Sequence, residues 1–303
     1  MESQSDASEQ GQALPQAASW SQDRRLKFIE FRLRWDGRVN RSDLTEFFAI
    51  SSPQASADLA KYNEAAPMNL AYDLKAKSYM RGEGFAPLYA RSALGAYLNE
   101  LFALSTDVIE PKASFIGWRP DVAVAPTPRR LLDERALSVI LQAIREQRRA
   151  TIVYQGMKRP EPVEREISPH ALGFDGFRWH VRAYCHLREK YQDFVLGRMA
   201  DASLSEHAWT SGAEDKQWNH FLTLEIGPHP ELSVAAKRAI GMEYGMVDNR
   251  LELTCREALL FYALRRLGLQ APQEAIEAAP AQQIVLLNRN ALQPYLNHLQ
   301  GGG

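Results

Sequence analysis

Between Trp20 and Trp35 apolar side chains fall at Leu26, Ile29 and Leu33, with Phe28, Phe31 and Trp35 widening the stripe. Spacings of three and four predict an amphipathic helix, ended by Asp36 and Gly37. A second, short helix is expected behind Asn40 as its cap, on Leu44, Phe47 and Phe48. Ser52 and Pro53 read as an N-cap and a first-turn proline opening "SPQASADLAKYNEAA", a helix of small or polar residues anchored by Ala55, Leu59 and Tyr62. The period then drops toward two in "NLAYDLKAKSYMRGEGFAPLY", which predicts two strands joined near Asp73 and Leu74 or between Arg81 and Gly84. Three helices and a basic hairpin predict a winged helix-turn-helix over residues 20–92.

Residues 93–128 read as a helical linker, beginning with "SALGAYLNELFAL" and passing through the Pro-rich "RPDVAVAPTPRR", which marks a hinge or boundary near residue 128. Leu137, Ile140, Leu141 and Ile144 keep helical spacing beyond it. Strands follow in "RATIVYQG", "VEREISPHAL", "FRWHVRAYC" and "YQDFVLGRMADA", with no helix between them, so residues 129–205 predict a small, highly curved barrel. In the third strand Arg178, His180, Arg182 and Tyr184 alternate with Phe177, Trp179, Val181, Ala183 and Cys185. Residues 206–303 read as strand, helix, strand, helix: Leu222, Leu224 and Ile226 alternate, and Leu259, Leu260, Ala263, Leu264 and Leu267 recur helically. The fold class expected is α+β multidomain: a winged helix, a central β-barrel and a C-terminal α/β extension.

Composition changes the picture little: 45% hydrophobic and 24% charged residues in 303 suit a soluble chain with two or three cores. No apolar run approaches the roughly 20 residues of a membrane span. Residues 1–19 are polar and acidic, unlike a secretory signal, and predict a disordered tail on a cytoplasmic protein. The two cysteines, Cys185 and Cys255, have no disulfide or zinc spacing, and neither metal nor cofactor is expected. The net charge of −1 hides segregation, since residues 20–92 hold 12 Lys and Arg against 9 Asp and Glu, and residues 129–201 hold 14 against 10. Two locally basic blocks are compatible with polyanion partners without requiring them.

A third helix of small and amide side chains fits the major groove of B-DNA, where short groups reach base edges and free N–H groups meet phosphate. Gln54 and Ser56 are the base-edge candidates, Lys75, Lys77 and Arg81 the phosphate or minor-groove candidates, and Arg41, Ser51, Ser52 and Lys61 complete the expected DNA-facing set. The competing reading is a helical subdomain whose third helix merely faces water.

"IVYQG", "REISPHAL", "WHVRAYC" and "FVLGRMADA" resemble the WYL domain of bacterial transcriptional regulators, an Sm- or SH3-like barrel named for a Trp-Tyr-Leu triplet. The triplet stands here as Trp179-His180-Val181, with a shorter, chargeable ring at the tyrosine position. The whole layout is most similar to the BrxR/CapW-type repressors of phage-defence operons. That resemblance implies a homodimer on a palindromic double-stranded operator, with dimer contacts through the C-terminal extension. It also implies a ligand pocket or polyanion groove that carries over to Tyr154, Arg165, His170, Trp179, His180, Arg182 and Arg198. Arginine forks, imidazole and a phenol suit a nucleotide or short oligonucleotide.

Residue spacing leaves plainer alternatives open. Arg178 and Arg182 can pair with Glu164 and Glu166 of a neighbouring strand, His170 can be a hydrogen-bonded corner, and Trp179 shares its parity with core residues. Arg198 shares parity with Phe194 and Leu196 and reaches a pocket only if Gly197 forms a bulge. A second functional reading makes the barrel an RNA- or single-strand-binding effector. A nucleotide enzyme using His170 or His180 is disfavoured, because no phosphate loop, nucleophile elbow or carboxylate pair accompanies them.

Overall fold

The first apolar stripe folds as helix α1 (Gln16–Trp35), which buries Phe28, Ile29 and Leu33. It starts four residues inside the expected tail; the rest of that tail lies outside the described residues, which are 16–89, 93–128, 130–270 and 281–300 of a computed structural model. The chain divides into two units, Met1–Thr127 and Pro128–Gly303. None of the described helices is long and apolar enough to cross a membrane.

In the first unit, α2 (Arg41–Phe48) opens with a capping box. The Asn40 side chain accepts from the Asp43 amide and the Asp43 carboxylate accepts from the Asn40 amide. Helix α3 (Ser52–Ala65) is capped by Ser51, one residue earlier than expected, with Pro53 in its first turn. Leu44, Leu59 and Tyr62 close over the α1 stripe in one core, where each fully buried side chain contributes about 1.5–3 kcal/mol. Two buried acids fix the angles. Asp58 of α3 accepts from Arg25 Nε of α1 at 2.6 Å, and Glu30 accepts from the Tyr62 hydroxyl at 3.0 Å.

Strands β1 (Arg38–Val39), β2 (Leu70–Asp73) and β3 (Ser78–Arg81) form the antiparallel sheet β1-β3-β2. The hairpin therefore turns between Asp73 and Ser78. It gains a two-residue strand too short to show as a periodic pattern. Helix α4 (Ala93–Ser105) follows, and Leu101 and Leu104 pack with Ile116 in a satellite core.

The second unit begins with α5 (Glu134–Glu146), capped by Asp133 and laying Ala136, Ile140 and Ala143 on a sheet. Its strands are β4 (Arg149–Tyr154), β5 (Val163–Phe174), β6 (Trp179–Cys185), β7 (Lys190–Val195) and β8 (Met199–Ser205), in the order β7-β6-β5-β4-β8. The expected fourth strand is thus two, β7 and β8, separated by a 3₁₀ turn, Leu196–Arg198. Those two strands are the outermost in the order. A flat sheet would hold them about 19 Å apart, four spacings of about 4.8 Å, whereas the three-residue link spans at most about 14 Å. The sheet must therefore roll, which is the geometry of an SH3-like barrel.

Beyond the short helix α6 (Lys216–Asn219), strands β9 (Phe221–Pro228), β10 (Leu251–Arg256) and β11 (Ile284–Leu286) form an antiparallel sheet in the order β10-β9-β11. Helices α7 (Val234–Tyr244), α8 (Leu260–Arg266) and α9 (Arg289–Gln300) complete the extension. Residues Leu222, Leu224 and Ile226 of β9 share a core with Ile240, Leu260, Leu264 and Leu292 from these helices.

Candidate functional site

The outward face of α3 is made of short side chains. Ser52, Pro53, Ala57 and Ala60 are exposed and Ser56 is half-buried, while Ala55, Leu59 and Tyr62 hold the inner face. Such a surface lets backbone approach a groove wall closely. Lys61 is exposed and donates to Gln22, and Arg41 is exposed at the start of α2. Gln54 is half-buried and turned back along its own helix, its amide donating to Asp58 Oδ1 at 3.2 Å. Ser51 and Ser52 are exposed, although the Ser51 hydroxyl is spent on the Gln54 amide.

The wing tip is ordered by Asp73, whose Oδ1 accepts from the amides of Lys75 and Ala76 at 2.8 and 3.0 Å. Lys75 and Lys77 are exposed there, and neither has an ion pair among the described residues. Arg81, also exposed, donates to the Arg34 carbonyl.

The polar face of β6 exists, but the same chain roofs it. Residues 180–183 are buried on both sides of the strand: Val181 and Ala183 enter the barrel core, whereas His180 and Arg182 lie under the segment around α6 and under α8. Arg182, only 4% exposed, donates through Nε to Asp215 Oδ2 at 2.7 Å, through Nη1 to Asp193 at 3.2 Å and through Nη2 to Gln217 at 2.9 Å. The register slips between Pro169 and Ala171, so His170 is the extra residue of a bulge in β5 rather than a strand-end corner. The bulge aims its Nε2 at Asp215 Oδ2, 3.1 Å away. Gly212 lies against that ring, and a Cβ there would stand 2.4 Å from His170 Cγ, so only glycine fits.

Asp175 organises the neighbouring turn, accepting from the Phe177 and Arg178 amides, from Arg178 Nε at 3.0 Å and from the His180 ring at 3.0 Å. Gly176 supplies the φ of +94° that the turn requires. Neither Arg178 nor Arg182 pairs with Glu164 or Glu166; the carboxylates that neutralise this face come from the turn, from β7 and from the residue capping α6. Burial pushes the Asp175 carboxyl up, but the hydrogen bonds from His180, the two amides and Arg178 outweigh it and bring it to about 2. Asp215 is likewise raised by burial and carried well below the ordinary carboxylate range by His170 and Arg182. Tyr262 of α8 completes the roof, donating to Asp193 at 3.0 Å and stacking its ring 4.6 Å from that of His180. Asp193, Asp215 and Tyr262 were not legible as site residues, because no local pattern marks partners 11, 33 and 69 positions away.

Arg165 differs from Arg182. It is 6% exposed on the core-facing side of β5, its Nε has no hydrogen-bond partner, and it has no ion pair among the described residues. Among the described residues its guanidinium meets the Cys185 sulfur at 3.7 Å and the Tyr154 ring, whose centroid is 6.0 Å away. Tyr154 lies at the same end of the barrel and its hydroxyl accepts from the Val195 amide. Arg198 sits half-buried in the 3₁₀ turn, which stands where a bulge at Gly197 would have been needed to aim it into a pocket. Trp179 is 46% exposed at the rim, stacked on Phe174 with centroids 4.8 Å apart, and so does not join the core as its parity suggested. The strand begins at that residue, beyond the last layer of core side chains.

Three family models match the chain. The BrxR transcriptional regulator winged helix-turn-helix domain covers residues 21–103, the WYL domain 135–204 and the BrxR C-terminal dimerization domain 221–292. Over 272 residues the chain is 44% identical to a DNA-binding transcriptional repressor CapW of Stenotrophomonas maltophilia, covering 88% of this chain and 89% of that protein. A protein of the same description from Escherichia coli (strain KTE188) is 42% identical, covering 91% and 92%. One from Pseudomonas aeruginosa is 40% identical, covering 93% and 94%.

Proposed function

Because the chain belongs to the BrxR/CapW family of WYL-domain transcriptional regulators, we propose that it is a homodimeric repressor of a phage-defence operon. It reads a palindromic operator through α3 and the wing, and a nucleotide or oligonucleotide bound at the WYL barrel releases it. The observation that carries the DNA-binding half is the short-residue face of α3 together with the exposed Lys75 and Lys77, which have no ion pair among the described residues. Ser52 and Ser56 are better placed for base edges than Gln54, whose amide is occupied. Binding to the protein's own upstream DNA, measured against random duplex across a salt series, tests it. Lys75→Ala and Lys77→Ala should weaken all duplexes alike and each flatten the slope of log affinity against log salt by about 0.9. Ala57→Glu should abolish operator preference by placing a carboxylate on the groove face. Equal affinity for operator and random duplex would defeat the reading.

Arg165 supports the ligand half. A buried guanidinium without a carboxylate is costly, and a phosphate supplies the missing charge with matched geometry. Arg182, His170 and His180 already have acidic partners, so they position the roof in this state. A ligand that prefers the DNA-released form tenfold shifts the balance by about 1.4 kcal/mol, and one without preference shifts nothing. Arg165→Ala should retain operator binding and lose release by short single strands or nucleotides, read in the same assay.

The exposed rim rings Phe174, Phe177 and Trp179 favour the second reading, a single-strand-binding effector, because stacking rings tolerate any base. Tight single-strand binding with no duplex preference would select it.

A further inference from the structure

Strand β10 ends its sheet, and no strand among the described residues pairs with its outer edge. The amide of Glu257 donates to the His220 carbonyl, and the register pairs Arg256 with Phe221. By antiparallel alternation Leu251, Leu253 and Cys255 spend their backbone groups on β9. Those of Glu252, Thr254 and Arg256 therefore point outward. The other side of β9 agrees, since the Leu287 amide donates to the Glu225 carbonyl toward β11. The tight turn Val247–Arg250 satisfies Arg250 alone, so the open stretch begins at Glu252. Neither proline nor a register shift interrupts β10.

Its side chains are left incomplete in a matching way. Glu252 is exposed and stands directly opposite Glu225, whose charge is met by Arg250 at 3.0 Å. Glu252 itself has no ion pair among the described residues, and like charges facing across a sheet are destabilising. Arg256 is held between the rings of Trp218 and Phe221, 4.7 and 4.5 Å from their centroids, with no carboxylate partner among the described residues. Leu251, Leu253 and Cys255 are only half-buried, whereas Leu222, Leu224 and Ile226 beside them on β9 are buried.

We infer that β10 pairs antiparallel with β10 of a second copy of this chain about a two-fold axis at Thr254, joining two three-stranded sheets into one of six. This inference rests on the dimeric reading above and says which surface makes the dimer. With the axis at Thr254 the outward groups of Glu252 meet those of the second copy's Arg256, and the reverse. Each charge that has no ion pair among the described residues thereby gains its opposite, and Leu253 lies beside the other Cys255. An axis one residue earlier sets Arg250 against Arg256, and one two residues earlier sets Glu252 against itself. Residues 221–292, which include the strand, match a dimerization domain.

Two variants of the full-length protein test it, after the wild-type mass is measured in solution. In Thr254→Pro the lost amide faces outward, so the β9 ladder stays intact while the junction loses its central donor. We expect it to sediment as a folded monomer with unchanged circular dichroism. In Thr254→Cys, with Cys255→Ser, the two thiols face each other across a pair with Cα atoms about 5.5 Å apart, within disulfide reach. Oxidation should give a covalent dimer on non-reducing gels, whereas Val234→Cys, exposed on the same domain, should not. A wild-type monomer overturns both this inference and the dimeric repressor. A wild-type dimer whose Thr254→Pro variant stays dimeric and whose Thr254→Cys variant does not cross-link overturns this inference alone.

Discussion

Asp215 sits 1% exposed beneath Arg182 and His170, so its substitution leaves a buried guanidinium without its principal counter-charge. Asp215→Leu should cost about 3–5 kcal/mol in urea unfolding, and adding Arg182→Met should recover much of it, because removing both charges removes the desolvation burden. Asp175 makes a pH prediction. Its carboxyl titrates near 2 when folded, against about 3.9 unfolded. Its bonds therefore stabilise the fold fully above about pH 4 and are lost as pH falls toward 2. Stability measured across that interval should fall less steeply in Asp175→Asn. The residue types of this face were legible in the sequence; their partners were not, because ion pairs form between elements that only the fold brings together.

At the scale of elements, period was a good guide wherever one face is buried and the other wet. The α1 stripe and the alternation of β4 both follow it. It failed where geometry breaks the period. The His170 bulge shifts the phase of β5, so odd-numbered residues face the core up to Pro169 and even-numbered ones from Leu172 onward. The turn Leu196–Arg198 splits an apparently continuous strand, and β1 is two residues long. Backbone contact was equally silent. Gly212→Ala should displace the His170 ring and cost about 1–3 kcal/mol in thermal or urea unfolding, while Gly245→Ala, where a Cβ meets nothing, pays only for its left-handed φ.

Across the whole molecule, each of the two units has its own cores, and residues 120–128 between them are exposed and irregular. Brief proteolysis should cut there first and leave two resistant fragments, identifiable by mass. The short link from β7 to β8 has a kinetic side. Strand β4 borders β8, with Thr151 opposite Ser203, so the barrel closes only by joining segments about fifty residues apart. In the winged helix β1 meets β3 across about forty residues. Translation delivers it first, at about 5–20 residues per second. A chain still on the ribosome thus has its winged helix complete for some seconds before its barrel can shut, and each newborn molecule passes through an interval in which the first unit is folded and the barrel is still open.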